Sequence, residues 1–236
     1  MPLKWKGSWD TLDDFEQSLD GKSRSIYIAY KDLIIDLFTK LDKDGLLIRN
    51  FRKADIERLI KINEISDSAF LLNKNVRHFF LNLGNLKKNI LMYLLKKFNF
   101  KTDKNSLAYQ NLVILCHMYQ VYTEDIKKYM IISINFNKIG INDPGKCWFG
   151  GLLNGLKRAS YWNDFLQYLD NYNYIRNAVA HYSYYINGNE LVFCEGPLGA
   201  EHKMSISEFI NLTVDLNILA NAFMLIFKDE FITVVG

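Results

Sequence analysis

The chain has 236 residues, 49% hydrophobic and 23% charged, which excludes a disordered polypeptide and suits one core domain with an elaboration. A net charge of +3 and a pI near 8.6 permit nucleic-acid binding but fall short of a strongly basic domain. The 14% aromatic share, with only 3 Pro and 13 Gly, favours long uninterrupted helices around a sizeable core.

In chain order, Trp9, Leu12, Phe15 and Leu19 recur every three or four residues. They predict a short amphipathic helix with Thr11 through Asp14 as an acidic first turn. Gly21-Lys22-Ser23 interrupts it. Ile26, Tyr30, Leu33, Ile34, Leu37, Phe38 and Leu41 then form a helical stripe, stopped by Asp42-Lys43-Asp44-Gly45. No clear domain linker stands out, and residues 42–50 are the one candidate seam. A shorter helix is predicted over Lys53–Ile62, and Ser66-Asp67-Ser68 reads as the cap of a long helix, or two, running to Leu95 with Gly84 as a break. Arg77, His78 and, in a further helix over Leu107–Ile134, His117 are interior polar residues for which a satisfied structural role is expected.

Asn135–Gly151 is the clearest loop and a candidate wall for a cleft. Its Gly150-Gly151 pair lacks the spacing of a phosphate-binding loop. Lys157 and Arg158, followed by Tyr161, Trp162 and Phe165, are candidate RNA contacts, since basic groups meet phosphates and aromatics stack on unpaired bases; core and solvated face are the structural alternative. Asp170-Asn171 is expected to cap the next helix. After it, Asn187-Gly188-Asn189 between β-forming runs signals a hairpin. Gly196-Pro197-Leu198-Gly199 reads as a loop, and Ser205-Ile206-Ser207-Glu208 as a capping box opening a last helix to about Asp229. Its stripe is Phe209, Leu212, Leu216, Leu219, Phe223, Ile226 and Phe227.

Cys116, Cys147 and Cys194 are odd in number and far apart, with neither zinc spacing nor a disulfide framework, so a reducing cytoplasm is the expected setting. No H-E-x-x-H spacing occurs, and no metal or cofactor is expected. The amino-terminal residues carry no apolar stretch of the signal-peptide kind. The longest apolar run, near Leu216–Phe227, is shorter than a span and carries Asn217 and Asn221, so no membrane partner is expected.

The rest of the chain is organised around Tyr174-Ile175-Arg176-Asn177-Ala178-Val179-Ala180-His181-Tyr182. This segment sets Arg176, Asn177 and His181 into an otherwise apolar stretch, where each must find a partner or line a site. Asn177 and His181, at i and i+4, share a helix face, whereas Arg176 and His181 stand roughly 140° apart on a regular helix. Either a helix end near His181 or a second copy across a two-fold axis would bring them to one target. The structural alternative pairs Asn177 with His181 along one helix face and has Arg176 cap a neighbouring carbonyl. The β-forming run after His181 ends the helix there, at a terminus where the helix dipole favours a cation.

The Arg176-Asn177-x-x-x-His181 pattern resembles the R-x(4–6)-H motif of HEPN domains, with the polar residue usual after the Arg. The resemblance spans residues 65–236 and leaves residues 1–64 as an unmatched helical extension. It implies a helical bundle, and with the hairpin signal at Asn187-Gly188-Asn189 the expected fold class is all-α: a helical bundle with long antiparallel helices and one small β-hairpin after the motif helix. It further implies a metal-independent endoribonuclease of toxin–antitoxin or antiviral defence type, working as a homodimer with paired motifs and leaving a 2′,3′-cyclic phosphate. In such a reaction His181 serves as acid or base, Arg176 meets the phosphate with a planar fork of donors, and Asn177 orients either. Tyr182 is a candidate supporting neighbour without an assigned role. RNA, a second copy and an antitoxin or regulatory protein are the implied partners. The alternative is a non-catalytic HEPN-like module binding a protein or nucleotide.

Overall fold

The computed structural model describes residues 11–52, 54, 104–181, 183–188, 190–195 and 199–235. The helices expected over Lys53–Ile62 and up to Leu95, with Gly84, Arg77 and His78, lie outside the described residues, as does the boundary at residue 64.

The protein is mostly helical, with a small three-stranded antiparallel sheet. Helix α1 (Leu12–Ser18) starts where the Thr11 side chain accepts a hydrogen bond from the Asp14 amide, with Asp13 and Asp14 at its positive end. Helix α2 (Gly21–Lys43) begins at Gly21 itself, so the glycine opens the second helix with Asp20 as its cap residue. It stops at Gly45, whose φ of +67° suits a residue without a Cβ. Strand β1 (Asn50–Arg52) follows.

Helix α3 (Lys104–Ser133) begins three residues before the expected Leu107. Helices α4 (Phe149–Arg158), α5 (Asp164–Asn171) and α6 (Asn173–Ala180) are short. Strands β2 (Tyr184–Asn187), β3 (Glu190–Cys194) and β4 (Glu201–Ser205) form the antiparallel sheet in that order. Gly188 holds the β2–β3 turn at φ +62°. The third strand is an addition to the single expected hairpin. It ends at Ser205, whose hydroxyl accepts from the Glu208 amide while the Glu208 carboxylate accepts from the Ser205 amide. This is the expected capping box, and it opens helix α7 (Ile206–Ile226). A π-helical turn, Phe227–Phe231, replaces the expected regular helix to Asp229. It feeds strand β5 (Thr233–Val235), which pairs in parallel with β1. No local pattern announced that pairing, because its two strands are joined only by the fold.

Helix α7 is the core. It packs against both α2 and α3. It is long and apolar enough to cross a bilayer, and most of that apolar surface is spent inside the protein. All seven residues of its expected stripe, Phe209 through Phe227, are buried. Phe38 of α2 meets Phe223, Phe227 and Phe231 at 4.7–5.4 Å between ring centroids. Leu12, Phe15, Tyr27, Ile34 and Leu41 belong to the same core cluster as α3 and α7, so the described part of the amino-terminal extension shares its core with the rest. The Leu12 amide also donates to Asp229 Oδ2 at 2.8 Å, tying α1 to the far end of the chain. Leu46, in the candidate seam, is buried in that core.

Tyr119 of α3 is fully buried, and its hydroxyl donates to the Tyr172 carbonyl at 2.8 Å, at the junction of α5 and α6. That phenol is raised well above 10.0 by burial, so it stays a donor. Tyr119→Phe leaves the carbonyl one donor short, and a buried bond of this kind is worth about 1–2 kcal/mol. Its melting temperature should fall by about 3–6 °C for a chain this long, read by calorimetry.

Candidate active-site cleft

Helix α6 carries the motif. Its apolar residues Ile175, Ala178 and Val179 are buried against α3 and β3. Asp170 and Asn171, expected as its cap, instead close α5, and Tyr172 stands at the start of α6 without a side-chain cap. The reason is Asn163, whose side chain accepts from the Leu166 amide and starts a separate helix one turn after α4.

The helix ends at Ala180, and His181 is its cap residue, with φ −105° and ψ 8° and its amide bonded to the Asn177 carbonyl at 3.1 Å. Its side chain is exposed. Asn177 and His181 share a face, and both line a cleft of about 750 Å³ together with Trp148, Tyr174, Glu195 and His202. That volume suits a ligand the size of one or two nucleotides on general grounds of pocket size.

Arg176 takes a different course. It is 8% exposed and does not line the cleft. Its Nε donates to Glu124 Oε1 of α3 at 3.0 Å, and its Nη2 to the same oxygen. Its Nη1 reaches Asn177 Oδ1 at 3.4 Å. An amide whose oxygen faces the guanidinium leaves its two N–H donors for the cleft. Arg176 therefore sits behind Asn177 as a charge and an orienting donor.

One residue links Arg176 to His181. Trp148, just before α4, is 60% exposed. The Arg176 guanidinium carbon lies 5.5 Å from its ring centroid, and the His181 ring lies 6.1 Å away at 42°. The expected loop thus walls the cleft, but it ends at Trp148. Gly150 and Gly151 belong to the first turn of α4. Close packing explains both glycines. A Cβ on Gly150 would stand 2.6 Å from Asn173 Nδ2, and one on Gly151 the same distance from Cys147 Sγ.

A second histidine enters from the sheet. His202 of β4 is hydrogen-bonded through Nε2 to Glu195 Oε1 at 2.8 Å, and its ring stacks on Tyr174 at 4.0 Å and 24°. Burial raises the Tyr174 phenol above 10.0, so it is a neutral donor in the cleft and not a phenolate.

Lys157 and Arg158 are exposed on the last turn of α4 and do not line the cleft; Lys157 lies 4.8 Å over the Trp162 ring. Phe165 is in the core and Tyr161 donates to Asp44, so these two aromatics are structural. Tyr182 lies outside the described residues. His117 is exposed on α3 and is not part of the cleft lining. Among the described residues no group of three or more His, Cys, Asp or Glu side chains is placed to hold a metal ion.

Trp148, Glu124, Glu195 and His202 escaped the sequence reading. Glu124 lies 52 residues from Arg176, and His202 sits in a strand with no hairpin signal before it. An exposed Trp148 in a chain with 16 Phe and 14 Tyr carries no local mark to distinguish it from core. Comparisons with protein-family models, with curated proteins and with solved structures found no match.

Proposed function

We propose that this chain is an endoribonuclease of defence or toxin type, built on a HEPN-like bundle of long antiparallel helices with a hairpin after the motif helix. It would cut RNA through the ribose 2′-hydroxyl, in the cytoplasm and as a homodimer. One observation carries the reading: the exposed imidazole of His181 and the amide of Asn177 line one nucleotide-sized cleft beside an exposed indole. Cleavage of this kind needs a proton acceptor for the 2′-hydroxyl, a donor for the leaving 5′-oxygen and hydrogen bonds to the phosphate as charge builds. His181 supplies a proton-transfer group, Asn177 N–H donors, and Arg176 the positive charge behind them. Trp148 offers a face on which an unpaired base stacks. A second copy of the chain would extend the cleft and double the motif.

The orientation of Arg176 favours a second reading. An Arg already matched by Glu124 is not free to grip phosphate in this conformation, which suits a non-catalytic module holding a nucleotide or protein partner. Purified protein incubated with RNA in EDTA separates the two. Cleavage leaving 2′,3′-cyclic phosphate ends is the expected result, and binding without cleavage supports the module. Trp148→Ala should raise the KM for RNA about tenfold, the loss of one base–aromatic stack, with kcat less affected. An unchanged KM would remove the indole from the binding surface.

A further inference from the structure

The HEPN-type reaction assigns proton transfer to the motif histidine, yet the cleft contains a second imidazole with features of its own. His202 and His181 reach it from different elements, β4 and the end of α6. Two contacts fix the His202 ring. Stacking on Tyr174 at 4.0 Å sets its plane, and the 2.8 Å bond from Nε2 to Glu195 Oε1 sets its rotation. Both partners also line the cleft. An ionised carboxylate accepts only, so the neutral tautomer that satisfies this bond has its proton on Nε2 and its lone pair on Nδ1. A carboxylate behind an imidazole is the arrangement that holds a base in the correct tautomer and stabilises the imidazolium once it forms. His181 has no such partner among the described residues.

We propose that His202, held by Glu195 and Tyr174, is the general base of the cleft, with His181 as the general acid, so that one protomer carries both halves of the proton transfer. The proposal rests on the ribonuclease reading. Nδ1 of His202 takes the proton of the 2′-hydroxyl, and the 2′-oxygen forms its bond to phosphorus. The bond from phosphorus to the 5′-oxygen breaks, and the His181 imidazolium protonates that oxygen. The products are a 2′,3′-cyclic phosphate and a 5′-hydroxyl. His202 then returns its proton to solvent and His181 regains one. Glu195 is a positioning residue, since it acts through the imidazole.

The two roles separate on a substrate whose leaving group needs no proton. We would use an RNA oligonucleotide and the same oligonucleotide with sulfur replacing the 5′-oxygen at one internucleotide bond. His202→Gln keeps a donor for Glu195 and removes the base. It should slow cleavage of both substrates by about 100-fold, the usual scale of general-base loss, with an unchanged melting temperature. His181→Ala should be slow on the oxygen substrate and recover to near the wild-type rate on the sulfur one. Recovery of His202→Gln on the sulfur substrate would make His202 the acid and overturn the assignment. Wild-type rates for His202→Gln on both would remove it from the chemistry while leaving the ribonuclease reading standing. No cleavage of either substrate by the wild type would end that reading and this one together.

Discussion

His181→Ala should cut the rate of RNA cleavage by about 10³-fold, within the range for a lost acid–base group, and leave the fold intact. The expectation follows from where the residue sits. His181 follows the last turn of α6, its side chain is exposed, and among the described residues its imidazole makes no hydrogen bond. Its ring lies 6.1 Å from that of Trp148. Truncation therefore creates no cavity and strands no buried donor, and surface changes of this kind usually stay within about 0.5 kcal/mol. Its backbone amide still bonds the Asn177 carbonyl, so the helix ends where it did. The check is single-turnover cleavage beside a thermal melt. A variant that cuts at the wild-type rate and melts several degrees lower would mark His181 as structural and sink the proposed chemistry.

Glu124→Gln should have the opposite profile, with a large effect on stability. The Arg176 side chain is 9% exposed, and Glu124 is its charge partner. Gln keeps one acceptor but leaves the guanidinium without a counter-charge in a poorly solvated place. Removing one partner of a buried pair costs about 3–5 kcal/mol. Because the Glu124 side chain is 38% exposed, water screens part of that, and about 2–3 kcal/mol is the expected loss. Melting should fall by about 5–10 °C. Arg176→Met in the same chain removes the stranded charge, so the double variant should melt above Glu124→Gln alone. Melting below the single variant would show that the pair is not the unit of stability. RNA cleavage should also fall in both, since Glu124→Gln loosens the donor that faces Asn177 Oδ1 and Arg176→Met removes it.

These two variants also mark where a linear reading succeeds. Asn177 and His181 line one cleft because i and i+4 share a face of any helix, a property of the backbone alone. The stripes of α2 and α7 and the Ser205–Glu208 box were legible for the same reason: each is written within a few residues. Nothing beside Arg176 in the sequence marks the carboxylate that arrives from another helix, because Glu124 lies 52 residues away. The break at Tyr172 was missed because Asp170 and Asn171 cap as well in sequence as Asn163 does. The Tyr119 hydroxyl on the Tyr172 carbonyl ties that break to the core across 53 residues, a contact with no local mark.

What the sequence by itself determined was therefore local: a mostly helical chain, where most helices start and stop, and one helix placing an amide and an imidazole on one face before ending. Hydrogen bonds at short separation and the 3.6-residue period decide these things before any long-range contact forms. Tertiary structure alone decided what the three polar residues of the motif do. It brought Glu124 to Arg176 across 52 residues, Trp148 between Arg176 and His181, and the Glu195–His202 pair into the same cleft. It also joined β1 to β5 across the length of the chain. Charge pairing, ring stacking and strand pairing act between surfaces that meet only after α7 has gathered α2 and α3 around itself, and no window of the sequence contains both partners.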